Sequence, residues 1–323
     1  MTKGTAGRPA HRLRIYGPVP SRRLGLSLGV DILPYKTCSF NCIYCQLGPS
    51  RRTLGRRKSF VPVKEVVSQV RKAIKKAGRV DSITFSGSGE PTLHSGLGRM
   101  IRAIKKFTDI PVTVLTNSSF LTQPAVRRDL LAADLVVPSL DAASTLIFNR
   151  INRPHPSISL GRIIDGLAAF RKAYQGKIWL EIMLVKGVND SPAHLRALKK
   201  ALARIRPDKV QLNTVVRPPS EPYARPLSTR ELAGICREFG PACEVVASFR
   251  GRKSAASLGQ APLRVLGLVE RRPATADDLG RSLGLDRQTL QAALDRLLRW
   301  GRIRKVRHAG QHFYQPRQDP SSF

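Results

Sequence analysis

The feature that most limits the fold of this chain is a regular alternation of apolar segments with amphipathic helices between residues 62 and 246. In residues 62–77 apolar side chains recur at spacings of three and four, Pro62 fits a first helical turn, and Gly78 fits a helix end. The segments between the helices are short and rich in Val, Ile and Leu, as buried strands are. We therefore predict parallel strands joined by helical crossovers, in a full or partial β/α barrel or an open doubly wound sheet.

Both folds place catalytic side chains at the carboxyl ends of the strands. The predicted helices cover residues 62–77, 93–107, 122–132, 142–150, 160–174, 192–204 and 228–239. The predicted strands cover residues 27–34, 111–116, 134–140, 177–185, 209–213 and 243–246, with a further strand that ends in glycines at 81–91. Polar residues follow these strands at 38–45, 87–91, 117–119, 139, 141, 186–190 and 213–217.

The composition changes after residue 250. A segment rich in Gly, Ser and Ala predicts a linker at 251–261. Three helices are predicted next, for which Thr275 and Asp286 are suitable N-caps, followed by two strands that turn at Ala309-Gly310. This order is typical of a winged helix-turn-helix domain, here residues 262–317, which would bind nucleic acid or, alternatively, dock a protein.

The chain is strongly basic, with 56 Lys and Arg against 22 Asp and Glu, a formal net charge of +34 and a pI of about 11.3. Residues 1–15 are predicted to form a basic arm. Such an excess attracts polyanions, although a general bias toward Arg would also produce it. No apolar run is long enough for a membrane span and the N-terminus has no secretory apolar region, so we expect a cytoplasmic protein with no membrane partner.

Three of the five cysteines, Cys38, Cys42 and Cys45, lie within eight residues. In a reducing compartment such thiols are more often metal ligands or catalytic groups than disulfides. A structural zinc ion takes four ligands and no second pair is evident, and a redox pair at Cys42 and Cys45 leaves Cys38 without a role. Three thiolates suit a [4Fe–4S] cluster with one open iron, which we favour, with zinc and simple packing as the alternatives.

Three stretches make the chain similar to a known family. The spacing Cys38-x3-Cys42-x2-Cys45, with Tyr44 before the last cysteine, resembles the signature of the radical S-adenosylmethionine (SAM) superfamily. SGSGEPTL at 86–93 is similar to that superfamily's Gly-Gly-Glu-Pro motif, with Ser88 in place of the first glycine. YGPVPSRRLGLSLGVD at 16–31 resembles a branch of iron–sulfur oxidoreductases related to wybutosine biosynthesis, a tRNA modification.

The resemblance implies a partial (β/α)6 radical SAM barrel at residues 16–250, with a [4Fe–4S] cluster on the three cysteines and SAM on its open iron. It also implies an electron donor such as flavodoxin or ferredoxin as a partner. Asp141 could instead cap the next helix, and Glu181, in an apolar strand, could form either an internal salt bridge or a cofactor contact. The cofactor-binding residues that the resemblance implies are Tyr44, Gly87, Gly89, Glu90, Pro91, Asn117, Ser139 and Asp141.

Other residues carry weaker expectations. Arg22 and Arg23 could hold an anionic substrate or form a solvated basic surface. His155 could donate a proton, but a lone loop histidine is more often uninvolved, and for Cys236 and Cys243 we favour burial over a second metal site.

Three functions remain open on this basis. We predict a radical SAM enzyme that modifies RNA, with a tRNA base as its substrate. The alternatives are an iron–sulfur or SAM-responsive regulator that binds DNA through the winged helix, or radical modification of a peptide or small molecule.

Overall fold

The computed structural model describes residues 14–50, 52–246 and 261–317. Most of the predicted basic arm, and all of the predicted linker except Ala261, lie outside the described residues. The helices are α1 (Val63–Lys76), α2 (Leu97–Lys105), α3 (Pro124–Leu130), α4 (Thr145–Asn152), α5 (Leu160–Ala173), α6 (Pro192–Ile205), α7 (Thr229–Phe239), α8 (Ala261–Val269), α9 (Ala276–Leu283) and α10 (Arg287–Arg299). The strands are β1 (Ile15–Ser21), β2 (Gly25–Val30), β3 (Ser82–Phe85), β4 (Val112–Thr116), β5 (Leu135–Pro138), β6 (Lys177–Leu184), β7 (Lys209–Thr214), β8 (Cys243–Val245), β9 (Ile303–His308) and β10 (Gln311–Pro316).

Eight strands form one sheet in the order of the chain, from β1 to β8. Strands β2 to β8 are parallel to their neighbours, and β1 is antiparallel to β2. Within the described residues no strand pairing joins β8 to β1, so the sheet is open at one side.

The sheet is strongly curved. Arg22, in the turn between β1 and β2, donates to Asn213 Oδ1 on β7 at 3.1 Å, and Arg23 donates to Gln211 Oε1 on the same strand at 2.7 Å. In a flat sheet, five strand spacings of about 4.8 Å would separate β2 from β7, which is beyond the reach of these side chains. The sheet is therefore a partial β/α barrel, and the predicted fold is confirmed.

The structure differs from the predicted elements in four places. Strand β1 was not predicted, and β2 ends at Val30 rather than at residue 34. Strand β3 ends at Phe85, before the glycines, rather than at residue 91. The helix predicted at 93–107 starts only at Leu97, after a separate 3₁₀ helix at Pro91–Leu93. Helix α4 begins after Ser144, whose side chain accepts from Ile147 N, so Asp141 does not cap it.

The C-terminal elements form the predicted winged helix. Thr275 caps α9 in a capping box, and the Asp286 carboxylate caps α10 by accepting from Thr289 N at 2.8 Å. Strands β9 and β10 form an antiparallel hairpin, and both residues of the Ala309-Gly310 turn have positive φ. The leucine face of α10 is buried, while Arg287 and Gln291 are exposed.

Two hydrophobic cores hold these parts together. The larger contains the buried faces of the sheet and of α1 to α7. The smaller contains α8, α9 and α10 together with Val19 of β1, which is 7% exposed. Strand β1 thus belongs to the sheet by hydrogen bonds and to the winged helix by packing. Within the described residues, none of the helices combines the length and apolarity that crossing a bilayer would require.

Candidate active site

The three clustered cysteines lie in the loop that follows β2, which we call the cysteine loop (residues 34–50). Two backbone contacts fix it: Thr37 N donates to Ser88 O at 3.2 Å, and Ile43 N donates to Ile151 O at 3.0 Å. The side chains of Phe40 and Ile43 are buried in the larger core. The thiols are therefore carried by a backbone that is held on both sides at the carboxyl end of the barrel strands.

Two asparagines donate hydrogen bonds to the sulfurs of this loop. Asn117 Nδ2, after β4, lies 3.5 Å from Cys38 Sγ, and Asn152 Nδ2, at the end of α4, lies 3.5 Å from Cys42 Sγ. Hydrogen bonds to cysteine sulfur stabilise its anionic form and tune an iron–sulfur cluster. The surroundings of the cysteines therefore favour thiolates that bind metal.

Burial has the opposite effect on the unbound thiols. It raises the pKa of Cys38 to about 11 and that of Cys42 still further. For Lys36, burial lowers the pKa of the ammonium, but the sulfurs of Cys45 and its neighbours outweigh this and the net shift is upward. A bound metal stabilises buried thiolates directly, and the Lys36 cation adds to that effect.

These residues fit a [4Fe–4S] cluster by the chemistry of the donor set. Among the described residues, no three His, Cys, Asp or Glu side chains converge closely enough to bind one metal ion. In a [4Fe–4S] cluster each thiolate binds a different iron, so this convergence is not required.

Glu90 lies beside the cysteine loop, between β3 and β4. Its Oε1 accepts from Thr92 N at 2.9 Å and from Thr116 Oγ1 at 2.7 Å, and its Oε2 accepts from Asn117 N at 2.6 Å. Burial raises the pKa of Glu90, and these hydrogen bonds oppose that rise. The carboxylate is thus held rigidly at the carboxyl ends of two adjacent strands.

The two glycines before Glu90 allow protein segments to approach closely. A Cβ on Gly89 would lie 1.7 Å from Thr37 O, in the cysteine loop, and Gly87 has a φ of +137°. A Cβ on Gly87 would meet Asp31 Cγ at 2.7 Å. The structure shows that these glycines make room for Asp31 and the cysteine loop, and their contact with a cofactor stays a prediction.

Ser88, which replaces the usual glycine of the motif, has a defined partner. Its backbone N and its Oγ both donate to the Asp31 carboxylate, at 3.1 and 2.6 Å. Arg271 Nε, from the segment after α8, donates to the same carboxylate at 3.0 Å. The winged helix therefore contributes to the contacts that position the SGSGEP loop.

Tyr44 connects the cysteine loop to β5 and β6. Its hydroxyl donates to Asp141 Oδ2 at 2.5 Å, and the same carboxylate accepts from Asn152 Nδ2 at 2.7 Å and from Met183 N at 2.9 Å. Burial, followed by the nearby Asp141 charge, raises the pKa of Tyr44 well above its usual value. The tyrosine is thus a neutral donor in a fixed orientation.

A cavity of about 410 Å³ lies inside the barrel against the cysteine loop. Its volume is within the range of small-molecule sites. Of the predicted site residues, Cys42, Pro91 and Asp141 do not line it, and the roles of all the predicted site residues stay predictions. Those that do line it are Cys38, Tyr44, Cys45, Gly87, Gly89, Glu90, Asn117 and Ser139.

Glu181 stands on the wall formed by β6 and β7. Arg23 Nη2 donates to its Oε2 at 3.0 Å, and Asn213 Nδ2 donates to its Oε1 at 2.7 Å. Burial raises the pKa of Glu181, but Arg23 and Asn213 outweigh it and the net shift is downward. The internal salt bridge considered from the sequence is present, and Glu181 also lines the cavity.

Arg217, in the predicted strand-end segment 213–217, lines the cavity, but two further arginines in the cavity wall were not predicted: Arg271 and Arg272, after α8. A run of two arginines at the end of a predicted helix was the available signal. It was not informative, because the chain has many basic residues and nothing local placed this pair beside the barrel.

The remaining candidates lie elsewhere. His155 Nδ1 is 2.8 Å from Ser157 Oγ, and this histidine is not in the cavity wall. Cys236 on α7 and Cys243 on β8 have their sulfurs 2.7 Å apart, and both side chains are half-buried. Cys243 is the first residue of β8, so it lies at the amino end of that strand. The cysteine loop lies at the opposite, carboxyl ends of the strands.

The model of the radical SAM superfamily matches residues 32–198, which include the cysteine loop and Glu90. The chain belongs to the radical SAM superfamily. It is thus an enzyme of a superfamily that works with SAM and a [4Fe–4S] cluster. A model of the MarR family matches residues 258–312, which agrees with the winged helix.

Two relatives of this radical SAM chain illustrate what it is similar to. UPF0026 protein MJ1312 of Methanocaldococcus jannaschii is 37% identical over 69% of this chain and 70% of its own length. A protein named GTPase Obg from Brachyspira hyodysenteriae is 37% identical over 90% of this chain, which spans only 43% of that protein. Neither name gives a substrate for the radical SAM domain.

Among solved structures, a radical SAM methyltransferase from Sphaerobacter thermophilus is similar, with a TM-score of 0.52 and 24% sequence identity. The alignment covers 68% of this chain and 66% of that protein. At this identity the likeness shows a shared radical SAM fold only.

Proposed function

We propose that this radical SAM enzyme cleaves SAM reductively and abstracts a hydrogen atom from a base of tRNA. The observation that carries the first part is the shared cavity. The residues Cys38, Cys45, Glu90 and Tyr44 all line one cavity at the carboxyl ends of the strands.

Cys38, Cys42 and Cys45 would hold the cluster and leave one iron open to the amino and carboxylate groups of SAM. The chemistry that the bound cluster and SAM supply is reductive cleavage to methionine and a 5′-deoxyadenosyl radical, which takes hydrogen from an unactivated carbon. The chain's own residues bind and orient SAM and the substrate, and they shield the radical.

One of those residues is already held in place. Glu90, fixed by Thr92, Thr116 and Asn117, offers a carboxylate to the SAM amino group. Because this carboxylate is oriented by the protein, its contact with SAM requires little reorganisation. Ser139, after β5, offers a hydroxyl to the ribose or the methionine carboxylate.

The tRNA part is supported by the basic surface of the winged helix. The domain exposes Arg side chains that can lie along phosphates, with Asp286 and Asp295 diluting the charge. The basic residues exposed on α10 and the wing are Arg287, Arg296, Arg299, Arg302, Arg304, Lys305 and Arg307.

The MarR family match supports a second candidate, a DNA-binding regulator that responds to an iron–sulfur cluster or to SAM. A regulator has no need of SAM turnover. The two candidates therefore differ in whether the reduced protein converts SAM to product over many cycles or only binds it.

The first experiment concerns the cluster. The full chain is reconstituted anaerobically with iron and sulfide, and its iron and sulfide contents and electron paramagnetic resonance spectrum are recorded with and without SAM. We expect a reduced cluster signal that SAM alters, lost in Cys42→Ala and retained in the control Cys243→Ala. A signal that SAM leaves unchanged would contradict the proposal.

The second experiment concerns the substrate. Nucleosides from the tRNA of a deletion strain and its parent are compared by mass spectrometry, and a modified base missing from the deletion strain is expected. Identical nucleoside profiles, with no retention of tRNA by the purified chain at moderate salt, would favour a peptide or small-molecule substrate.

A further inference from the structure

Arginines from three separate segments line one side of the cavity. Arg22 comes from the turn between β1 and β2, Arg217 from the loop after β7, and Arg272 from the segment after α8. Besides its packing on β1 and the Arg271–Asp31 pair, the winged helix reaches this side of the barrel through two hydrogen bonds. Gln46 Nε2 donates to Arg271 O at 3.4 Å, and His308 Nε2 lies 3.0 Å from Val215 O.

The neighbouring arginines have carboxylate partners. Arg23 pairs with Glu181 and Arg271 pairs with Asp31, each at 3.0 Å. The protein itself therefore supplies the counter-charge for these two arginines, so we do not assign them to a ligand.

Arg217 and Arg272 differ, because within the described residues neither forms an ion pair. Arg217 Nη1 donates to Gln46 Oε1 at 3.2 Å, and Arg272 Nη2 donates to Ser282 Oγ at 3.0 Å. The Nε of Arg272 is buried and has no hydrogen-bond partner. An unpaired N–H on a buried guanidinium is costly unless a ligand accepts from it.

The three cations also act on one another. Burial, followed by the charges of Arg272 and Arg22, lowers the pKa of Arg217 well below its usual value, and burial lowers the pKa of Arg22 to about 10. Asp278 acts favourably on all three, and Glu181 acts more strongly on Arg22. The Asp278 carboxylate itself accepts from Thr275 N at 3.5 Å and from Arg281 Nη2 at 3.4 Å. Like charges gathered in the wall of one cavity favour a bound anion.

We propose that Arg22, Arg217 and Arg272 bind a phosphate group of the substrate, so that the winged helix completes the substrate site of the barrel. This inference rests on the proposed radical SAM function of the same cavity. Guanidinium groups match phosphate oxygens in pairs of hydrogen bonds, which three converging arginines can supply from different directions. A phosphodiester of RNA and a phosphate monoester present the same oxyanion.

The test measures binding of radiolabelled inorganic phosphate to the reconstituted full chain by equilibrium dialysis, at fixed ionic strength and without SAM or reductant. Arg217→Met and Arg272→Met remove one charge each from the site. The matched control, Arg196→Met, removes one charge from the exposed outer face of α6.

We expect the two site variants to bind phosphate roughly tenfold more weakly or worse, since each loses charge-assisted hydrogen bonds, and the control to bind like the unmodified chain. Equal affinities in all four proteins would overturn the proposal, and so would full displacement of phosphate by SAM, which would assign the arginines to the SAM carboxylate. If Arg272→Met does not fold, as judged by circular dichroism, Arg217→Met alone decides, because Arg217 belongs to a different segment.

Competition then identifies the source of the phosphate. Displacement by a short RNA hairpin but not by ribose 5-phosphate supports a phosphodiester, and the reverse supports a monoester; displacement by neither overturns the proposal. Because SAM cleavage plays no part in this assay, a negative result leaves the proposed radical chemistry standing. Conversely, absent SAM cleavage would leave a measured phosphate site intact.

Discussion

Asp31 is the only acidic residue among the first sixty, and it is nearly fully buried. Its carboxylate accepts from Ser88 twice and from Arg271, so it connects β2, the SGSGEP loop and the winged helix. The departure of Ser88 from the family motif is explained by this contact. The sequence indicated the substitution but not its partner, because the two residues are 57 positions apart.

Asp31→Asn should lower the free energy of unfolding by about 3–5 kcal/mol, because it removes the charge that Asp31 sets against the buried Arg271 guanidinium. Ser88→Gly, which restores the usual motif residue, should cost only about 1–2 kcal/mol for the lost hydroxyl donor. Urea denaturation followed by tryptophan fluorescence measures both.

The double variant Asp31→Asn, Arg271→Met is the control for this pair. It should be less destabilised than the sum of its single variants, because neither charge is then left alone. Strict additivity would show that the ion pair does not couple the winged helix to the barrel.

At the scale of elements, the helices were predictable because a 3.6-residue period recurs over long segments. The predicted helix at 62–77 is observed at Val63–Lys76, and that at 192–204 is observed at Pro192–Ile205. Strand β1 was not predicted, because its sequence IYGPVPS contains Gly and two Pro, which argue against a strand. Its place is decided by pairing with β2 and by packing of Val19 in the smaller core.

Val19→Ala should therefore loosen the winged helix more than the barrel. Two buried carbon atoms are lost, which costs about 1.5 kcal/mol. Hydrogen exchange should show faster exchange in α8 and α10, with β5 and β6 unaffected.

Val112→Ala in β4 is the matched control, since Val112 is buried in the larger core. It should produce the reverse pattern, with faster exchange in the sheet. The same pattern for both variants would contradict the division into two cores.

At the scale of the whole molecule, the cysteine loop and the strand-end residues were predictable because the motif is local and parallel strands bring their ends together. The contribution of the winged helix to the cavity was not predictable. Arg271 lies 240 positions from Asp31, and a contact of this kind depends on how the two cores pack. The basic character of the chain was evident from its composition. It was not evident that some of the basic side chains line the cavity.

The exposed charge should govern binding of RNA. Affinity for tRNA should fall steeply with salt, and Arg304→Ala with Lys305→Ala should reduce the slope of log affinity against log salt by about 1–2, because two phosphate contacts are lost. Filter binding across a range of potassium chloride measures this. An unchanged slope would mean that the wing does not contact the RNA.

The central claim is that the cavity carries out reductive cleavage of SAM. The most direct measurement is the amount of 5′-deoxyadenosine formed by the anaerobic, reconstituted chain with SAM and dithionite, quantified by mass spectrometry over time. We expect product from the unmodified chain and from the control Cys243→Ala, and none above background from Cys42→Ala. A protein that assembles its cluster and binds SAM but forms no 5′-deoxyadenosine would contradict the account.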